Sequence, residues 1–190
     1  MPSLKEIKNR IASVQSTRKI TSAMKMVASS KLHHAQVMIE NMLPYENLLE
    51  SMLKTYLEAE VDARAIITRS RDVKKAVLIV FASNSSLCGG FNANVLKMMQ
   101  RAIDDYQKKG VEVIVYPIGR KVSEKVGKLG IKSAGLFNSL ADKPNAHECI
   151  KIGHELQRLF CEGEIDSVEM IYHHFKSAGS QILQHKKLLP

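Results

Sequence analysis

The sequence has 190 residues, enough for one or two domains with a well-buried core. Its formal net charge of +9 predicts an anionic partner, without distinguishing nucleic acid from a membrane surface or an acidic protein. Aromatic residues make up 5% of the chain and tryptophan is absent, which argues against the base-stacking platforms of single-stranded nucleic-acid binders.

Residues 3–58 are predicted to form one very long helix, the first of three segments in the chain. Ser3 and Glu6 have the spacing of a capping box at its start. Apolar residues then recur at alternating spacings of three and four, typical of a coiled-coil seam, and the pattern slips twice. Pro44 predicts a bend or break near residues 41–44. The predicted seam consists of Leu4, Ile7, Ile11, Val14, Ile20, Val27, Met38, Met42 and Leu49.

This seam requires a partner helix. Burying about a dozen apolar side chains, at about 1.5–3 kcal/mol each, is worth some 20–30 kcal/mol as an upper estimate. A single helix cannot bury such a stripe against itself, and an exposed one is an aggregation liability.

Residues 59–75 have the composition of a basic linker, and residues 76–190 are predicted to form an α/β domain. Strands are predicted at 76–83 and 111–119, with a brief one at 134–137. Helices are predicted at about 93–109, 120–129 and 145–162. The last two strands are joined by a turn at Ala178 and Gly179. This order predicts a Rossmann-like fold, with a mostly parallel sheet and an antiparallel edge hairpin.

The loop "SNSSLCGGFNANV" follows the first strand, where α/β folds bind phosphates. It matches neither the P-loop nor the dinucleotide fingerprint, because it has only a Gly-Gly pair and no lysine after it. We interpret it as a structural tight turn in which the backbone passes close to a neighbour. In this interpretation Asn92 caps a helix and Cys88 is a small buried apolar residue. The loop residues are Leu87, Cys88, Gly89, Gly90 and Asn92.

No catalytic, cofactor or metal site is predicted. The pairs His33-His34 and His173-His174 cannot chelate by themselves, because adjacent side chains point in different directions on a helix or a strand. The three cysteines form no CxxC pair, which indicates a reducing compartment. No apolar run is long enough to cross a bilayer and no secretory signal is evident, so no direct membrane insertion is expected.

The long helix carries a basic run. From Ile7 to Ile39 there is no acidic residue. A charged face that is merely solvated usually carries carboxylates four residues from its cations, and within 7–39 there are none. We therefore interpret the charge as functional. The cations are Lys8, Arg10, Arg18, Lys19, Lys25 and Lys31.

The stretch "LKEIKNRIASVQSTRKITSAMKMVASSKL" resembles the N-terminal helix of the gamma subunits of F-type ATP synthases. The loop "SLCGGFNANV" and the hairpin ending in "LLP" resemble the same family, in the same order, so the resemblance covers the whole sequence. It implies a central-stalk rotor shaft that couples proton-driven rotation to ATP synthesis or hydrolysis at the beta subunits. The shaft has no catalytic site of its own.

The resemblance also implies the partners and the location. The shaft stands inside a ring of alpha and beta subunits, and its globular domain contacts the epsilon subunit and the membrane-embedded c-ring. Residues Arg18, Lys19, Met24 and Lys25 are implied to meet acidic loops of the ring. The implied location is peripheral, on the cytoplasmic face of a bacterial inner membrane, and no nucleic acid is involved.

In this family a second shaft helix follows the hairpin and pairs antiparallel with the first. This sequence stops at Pro190. It is therefore either a fragment or a truncated product, or another chain supplies the helix; without that helix, torque transmission would be impaired. Two other hypotheses were weighed: a basic coiled-coil nucleic-acid binder, supported by charge alone, and a nucleotide-binding enzyme, opposed by the glycine loop.

Overall fold

A computed structural model describes residues 3–58 and 71–190. The chain divides into two compact units, one containing the N-terminal helix and the other the remainder, with the division at residues 61/62. The predicted linker at 59–75 lies largely outside the described residues, which leave out 59–70. The two units are described separately below.

The first unit is helix α1, Leu4–Glu58. At 1.5 Å per residue it is about 82 Å long. The predicted capping box is confirmed: the Ser3 backbone N–H donates to Glu6 Oε2 at 2.7 Å, and the Glu6 N–H donates to Ser3 Oγ at 3.3 Å. The helix continues through Pro44, so a break does not occur there.

The second unit is built on a four-stranded sheet. The elements are β1 (Lys75–Phe81), α2 (Phe91–Lys108), β2 (Glu112–Ile118), α3 (Arg120–Leu129), α4 (Asn138–Asp142), α5 (Ala146–Cys161), β3 (Ser167–Ser177) and β4 (Ser180–Leu189). The strand order is β2-β1-β3-β4; β1 is parallel to β2 and β3, and β3 is antiparallel to β4. The predicted mostly parallel sheet with an antiparallel edge hairpin is confirmed.

Both faces of the sheet are covered. β1 alternates between them, because successive side chains of a strand point in opposite directions. One face packs against α2 and α3 through a core that includes Leu78, Val80, Met99 and Val122. The other packs around Val77 and Ile79 with residues of α4 and α5. A strand buried on both faces explains the continuous apolar run of β1.

The brief strand predicted at residues 134–137 is wrong. A single parallel bridge joins Ser133 to Val115, and the following residues lead into α4 without forming a strand. Leu136, which an apolar four-residue run would bury, is 74% exposed. The run is too short for its periodicity to distinguish a strand from a loop beside one.

Candidate functional site: the surface of α1 and the loop before α2

The apolar residues of α1 are exposed. Leu4 is 74% exposed and Met24 is 61% exposed, and every other predicted seam residue is also an exposed large hydrophobic. This amount of apolar surface on one helix marks an interaction site.

The exposed apolar residues do not form one stripe. A regular α-helix turns about 100° per residue, which places Ile20, Met24 and Val27 about 150° around the axis from the N-terminal residues of the seam. We call Leu4, Ile7, Ile11 and Val14 the N-terminal stripe, and Ile20, Met24 and Val27 the middle stripe. The same rotation keeps Met38, Met42 and Leu49 on the face of the middle stripe. Two faces of α1 are therefore apolar, one near the N-terminus and the other from Ile20 onward.

The predicted contact residues divide between these faces. Arg18 and Lys25 continue the line of the N-terminal stripe, about 120° and 100° around the axis from Met24, and Lys19 lies between the two faces. Shallow surface grooves run between Gln15, Arg18 and Ser22, and between Ser22, Lys25 and Ser29. The N-terminal stripe is thus continued by a polar, cationic surface.

The cations of the basic run are free of carboxylates within the described part of α1. The one ion pair found there joins Lys54 to Glu50, beyond the run. A basic surface without internal carboxylates suits an acidic partner.

The loop between β1 and α2 is held by buried side-chain hydrogen bonds. The amide oxygen of Asn92 accepts from the Ser83 backbone N–H at 2.9 Å. Its amide nitrogen donates to the Ser85 carbonyl oxygen and to Cys88 Sγ, each at 2.9 Å. Because Asn92 is 8% exposed, these bonds satisfy its polar atoms away from water.

Three interpretations of this loop are corrected. Asn92 does not cap α2: the cap position is Gly90, and Asn92 lies in the first turn with its side chain turned back into the loop. Cys88 is half-buried and hydrogen-bonded rather than a buried apolar residue. Gly89 has φ of 56°, which favours glycine, but no atom lies within 4 Å of where its Cβ would be. A Cβ at Gly90 would lie 3.3 Å from the side-chain nitrogen of Asn94, so the close approach at this pair is to a side chain and not to backbone. Leu87 beside the pair is 96% exposed.

The close approach to backbone is instead at Gly119, which sequence reasoning missed. This residue follows β2 with φ of 107°, and a Cβ there would overlap the carbonyl oxygen of Ala82. The glycine after a strand was visible in the sequence, but its neighbour is 37 positions away and only the paired strands bring the two together.

Polar side chains link the loops at the carboxyl ends of β1 and β2. Asn84 is at the centre of these bonds: its amide nitrogen donates to the Asn138 carbonyl oxygen at 2.9 Å and to Asp142 Oδ2 at 2.7 Å, and its amide oxygen accepts from the Arg120 N–H at 2.7 Å. The carboxyl edge of an open α/β sheet is where such folds bind ligands, and here the polar groups of that edge bond one another.

Sequence reasoning also missed a polar cluster that joins α2 to the hairpin. The carboxylate of Glu169, 12% exposed, accepts from Tyr106 Oη at 2.6 Å and lies 2.6 Å from His185 Nε2. Burial, followed by the bond to Glu169 and the carboxylate's charge, raises the pKa of Tyr106 to about 12. The three residues are 16 to 79 positions apart, so no local sequence pattern could predict that they meet.

Metal-binding clusters of three or more histidine, cysteine or acidic residues are absent from residues 3–58 and 71–190. His173 and His174 belong to one strand and face opposite sides of the sheet. None of the helices in the described ranges has the length and hydropathy needed to span a bilayer.

Comparisons with known proteins bear on this combination of a long exposed helix and an α/β unit. Residues 3–190 match the family model described as ATP synthase. The chain belongs to the ATP synthase family. It is 51% identical over 191 residues to a protein of Phocaeicola vulgatus named ATP synthase gamma chain, and 49% identical over 191 residues to the protein of that name in Bacteroides thetaiotaomicron.

These alignments cover all of this chain but 66% and 64% of the two ATP synthase relatives. The chain therefore spans slightly less than two thirds of their length. Among solved structures, it resembles a chain in the central stalk and c-ring of the Tetrahymena thermophila mitochondrial ATP synthase. The TM-score is 0.66 at 25% identity, over 90% of this chain and 72% of that one.

Proposed function

We propose that this chain forms part of the central rotor shaft of an F-type ATP synthase, the gamma subunit, which couples proton-driven rotation to ATP synthesis or hydrolysis. The observation that carries the proposal is α1: a continuous helix of 55 residues whose apolar and basic surface is exposed. A long, stiff element that offers its surface to partners suits a shaft. The relatives named ATP synthase gamma chain support the same role.

The partners follow from the two units taken separately. For α1 we propose a second, antiparallel helix over part of its apolar surface and acidic loops of the alpha and beta subunits against its cations. For the α/β unit we propose contacts with the epsilon subunit and the c-ring. The chain resembles a chain in a central stalk and c-ring structure, which supports this arrangement.

In this proposal the chain has no catalytic site of its own, and ATP chemistry belongs to the beta subunits. The loop after β1 supports this assignment, because it matches neither the P-loop nor the dinucleotide fingerprint and the Asn84 side chain bonds within the chain. We further propose a peripheral location on the cytoplasmic face of a bacterial inner membrane. The nucleic-acid alternative rests on charge alone, and none of the relatives reported above supports it.

The proposal is tested by Met24→Lys in the assembled ATP synthase that contains this chain. A cation on the middle stripe would replace an apolar contact and meet the partner's surface with new charge. ATP-driven proton pumping should fall relative to ATP hydrolysis, because hydrolysis is then less tightly coupled to rotation.

The matched control is Met26→Lys. Met26 is also exposed, at 70%, and lies about 160° around the helix from Met24. Equal pumping-to-hydrolysis ratios in the wild type and in Met24→Lys would remove the support for this contact. An equal loss in both variants would show that charge anywhere on α1 matters, and not the middle stripe.

A further inference from the structure

Helix α2 lies along one face of the β3–β4 hairpin. At its C-terminal end, Tyr106 bonds Glu169; at its N-terminal end, Phe91 stacks on His173. Between them, Ile171 is fully buried in the core that α2 shares with the sheet. Beyond His173 the hairpin becomes exposed, from Lys176 onward. The His173 contact therefore lies close to the exposed tip of the hairpin.

The surroundings of the His173 ring disfavour its charged form. Its centroid lies 4.1 Å from that of Phe91, with the two rings 22° from parallel. Its Nδ1 atom is buried and has no hydrogen-bond partner among the described residues. Burial lowers the pKa of His173 below its ordinary value near 6.5.

No carboxylate of the described residues lies within ion-pair distance of the ring. The first turn of α2, beside the ring, has no acidic residue, and the positive end of its dipole disfavours a cation. On β4 the residue paired with His173 is Leu183. The titratable and charged groups on the adjoining elements are Cys88 in the loop; Lys97, Arg101, Asp104, Asp105, Tyr106 and Lys108 on α2; Glu169, Tyr172, His174 and Lys176 on β3; and His185, Lys186 and Lys187 on β4.

We propose that the stacking contact between His173 and Phe91 holds the tip half of the hairpin on α2 and is lost when His173 takes up a proton. We call this contact the fastening. The neutral imidazole stacks on Phe91. A protonated ring would bury a charge with an Nδ1–H that has no acceptor, so proton uptake favours the state in which the ring has moved into water. The exposed tip, residues 176–182, is then held only by the backbone hydrogen bonds between β3 and β4.

The direction of the pH effect follows from the lowered pKa. Above pH 6.5 the ring is neutral in both the fastened and the released state, and the contact is fully present. As the pH falls below 6.5, the released state takes up a proton more readily than the fastened one, and the contact is progressively lost.

The test is hydrogen exchange of the whole chain at pH 7.5 and pH 5.5, corrected for the intrinsic exchange rate at each pH. In the wild type, amide protection of residues 172–176 and 181–184 should fall by about threefold or more at the lower pH, because protection reports the free energy of opening. His173→Phe keeps an aromatic stack and removes the titration, so its protection should be the same at both pH values.

His174→Gln is the matched control, since His174 lies on the opposite face of the same strand; it should behave as the wild type does. If His173→Phe shows the same fall as the wild type, the fastening is not proton-linked. Should that variant not fold, an NMR titration of the wild-type His173 ring decides: a midpoint below 6.5 supports the proposal, and one at or above 6.5 overturns it.

Discussion

Gly119 passes so close to Ala82 that a single methyl group on Gly119 would overlap the Ala82 carbonyl oxygen. The backbone N–H of Ala82 in turn donates a hydrogen bond to the Ile118 carbonyl oxygen at 2.9 Å. These two residues close the carboxyl end of the β1–β2 pair, from which the candidate loop and α3 both begin.

Gly119→Ala should therefore destabilise the α/β unit by about 2 kcal/mol or more, from the combined cost of a positive φ and a backbone overlap. The measurement is urea unfolding followed by tyrosine emission. Gly127→Ala is the control: it lies inside α3, with open space around its Cβ position, and should be neutral or stabilising by about 0.5–1 kcal/mol. A neutral Gly119→Ala would mean that the strand ends can separate without cost.

Asn92→Ala should cost about 1–2 kcal/mol, because it leaves a part-buried Ser83 N–H and a Ser85 carbonyl oxygen without their partner. The same unfolding measurement applies. Asn94→Ala, two residues along α2 and exposed, should change stability little. If the two variants are equally stable, the Asn92 bonds are replaced by water and do not define the loop.

Tyr106→Phe removes a hydrogen bond to a buried carboxylate and should cost about 1.5–3 kcal/mol near neutral pH. The pKa values of Tyr106 and Tyr116 are both raised to about 12, in each case chiefly by burial. Since the folded state keeps these protons while the unfolded state loses them near pH 10, stability should fall as the pH rises from 10 to 12.

An absorbance titration of the phenolates checks that prediction. In the wild type, two tyrosines should ionise later than the others, and in Tyr106→Phe only one. Late ionisation of two tyrosines in the variant would contradict the assignment to Tyr106.

In the assembled complex, the two apolar faces of α1 should meet different neighbours. Ile11 lies about 140° around the helix axis from Met24. A photo-crosslinker attached to a cysteine at Ile11 should capture a different neighbouring chain segment from one attached at Met24. Identification of the products by mass spectrometry decides, and a single product from both positions would show that one partner surrounds the helix.

Local rules predicted much of this molecule. The Ser3–Glu6 box, the bounds of α3 and the turn at Ala178 and Gly179 each depend on residues adjacent in the chain, and all three are confirmed. The family resemblance, carried by the N-terminal stretch and the glycine loop, is also confirmed by the family match.

What the sequence could not predict depends on long-range contacts. Helix α2 begins at Phe91, two residues before the predicted start. Asn92 therefore lies in the first turn as a buried hydrogen-bonding residue and not at the cap position. Boundaries of this kind are set by tertiary packing. Gly119 and the cluster of Tyr106, Glu169 and His185 gain their roles only when distant strands pair. The role of the predicted contacts Arg18, Lys19, Met24 and Lys25 stays a prediction.

The hydrogen bonds of Asn84 join the end of β1 to the start of α3 and to α4, and Ser123 of α3 bonds the Asn138 side chain at 2.9 Å. A displacement of any one of these elements would therefore stretch or break hydrogen bonds to the other two. The relative positions of the end of β1, α3 and α4 are therefore set by hydrogen bonds within the chain itself.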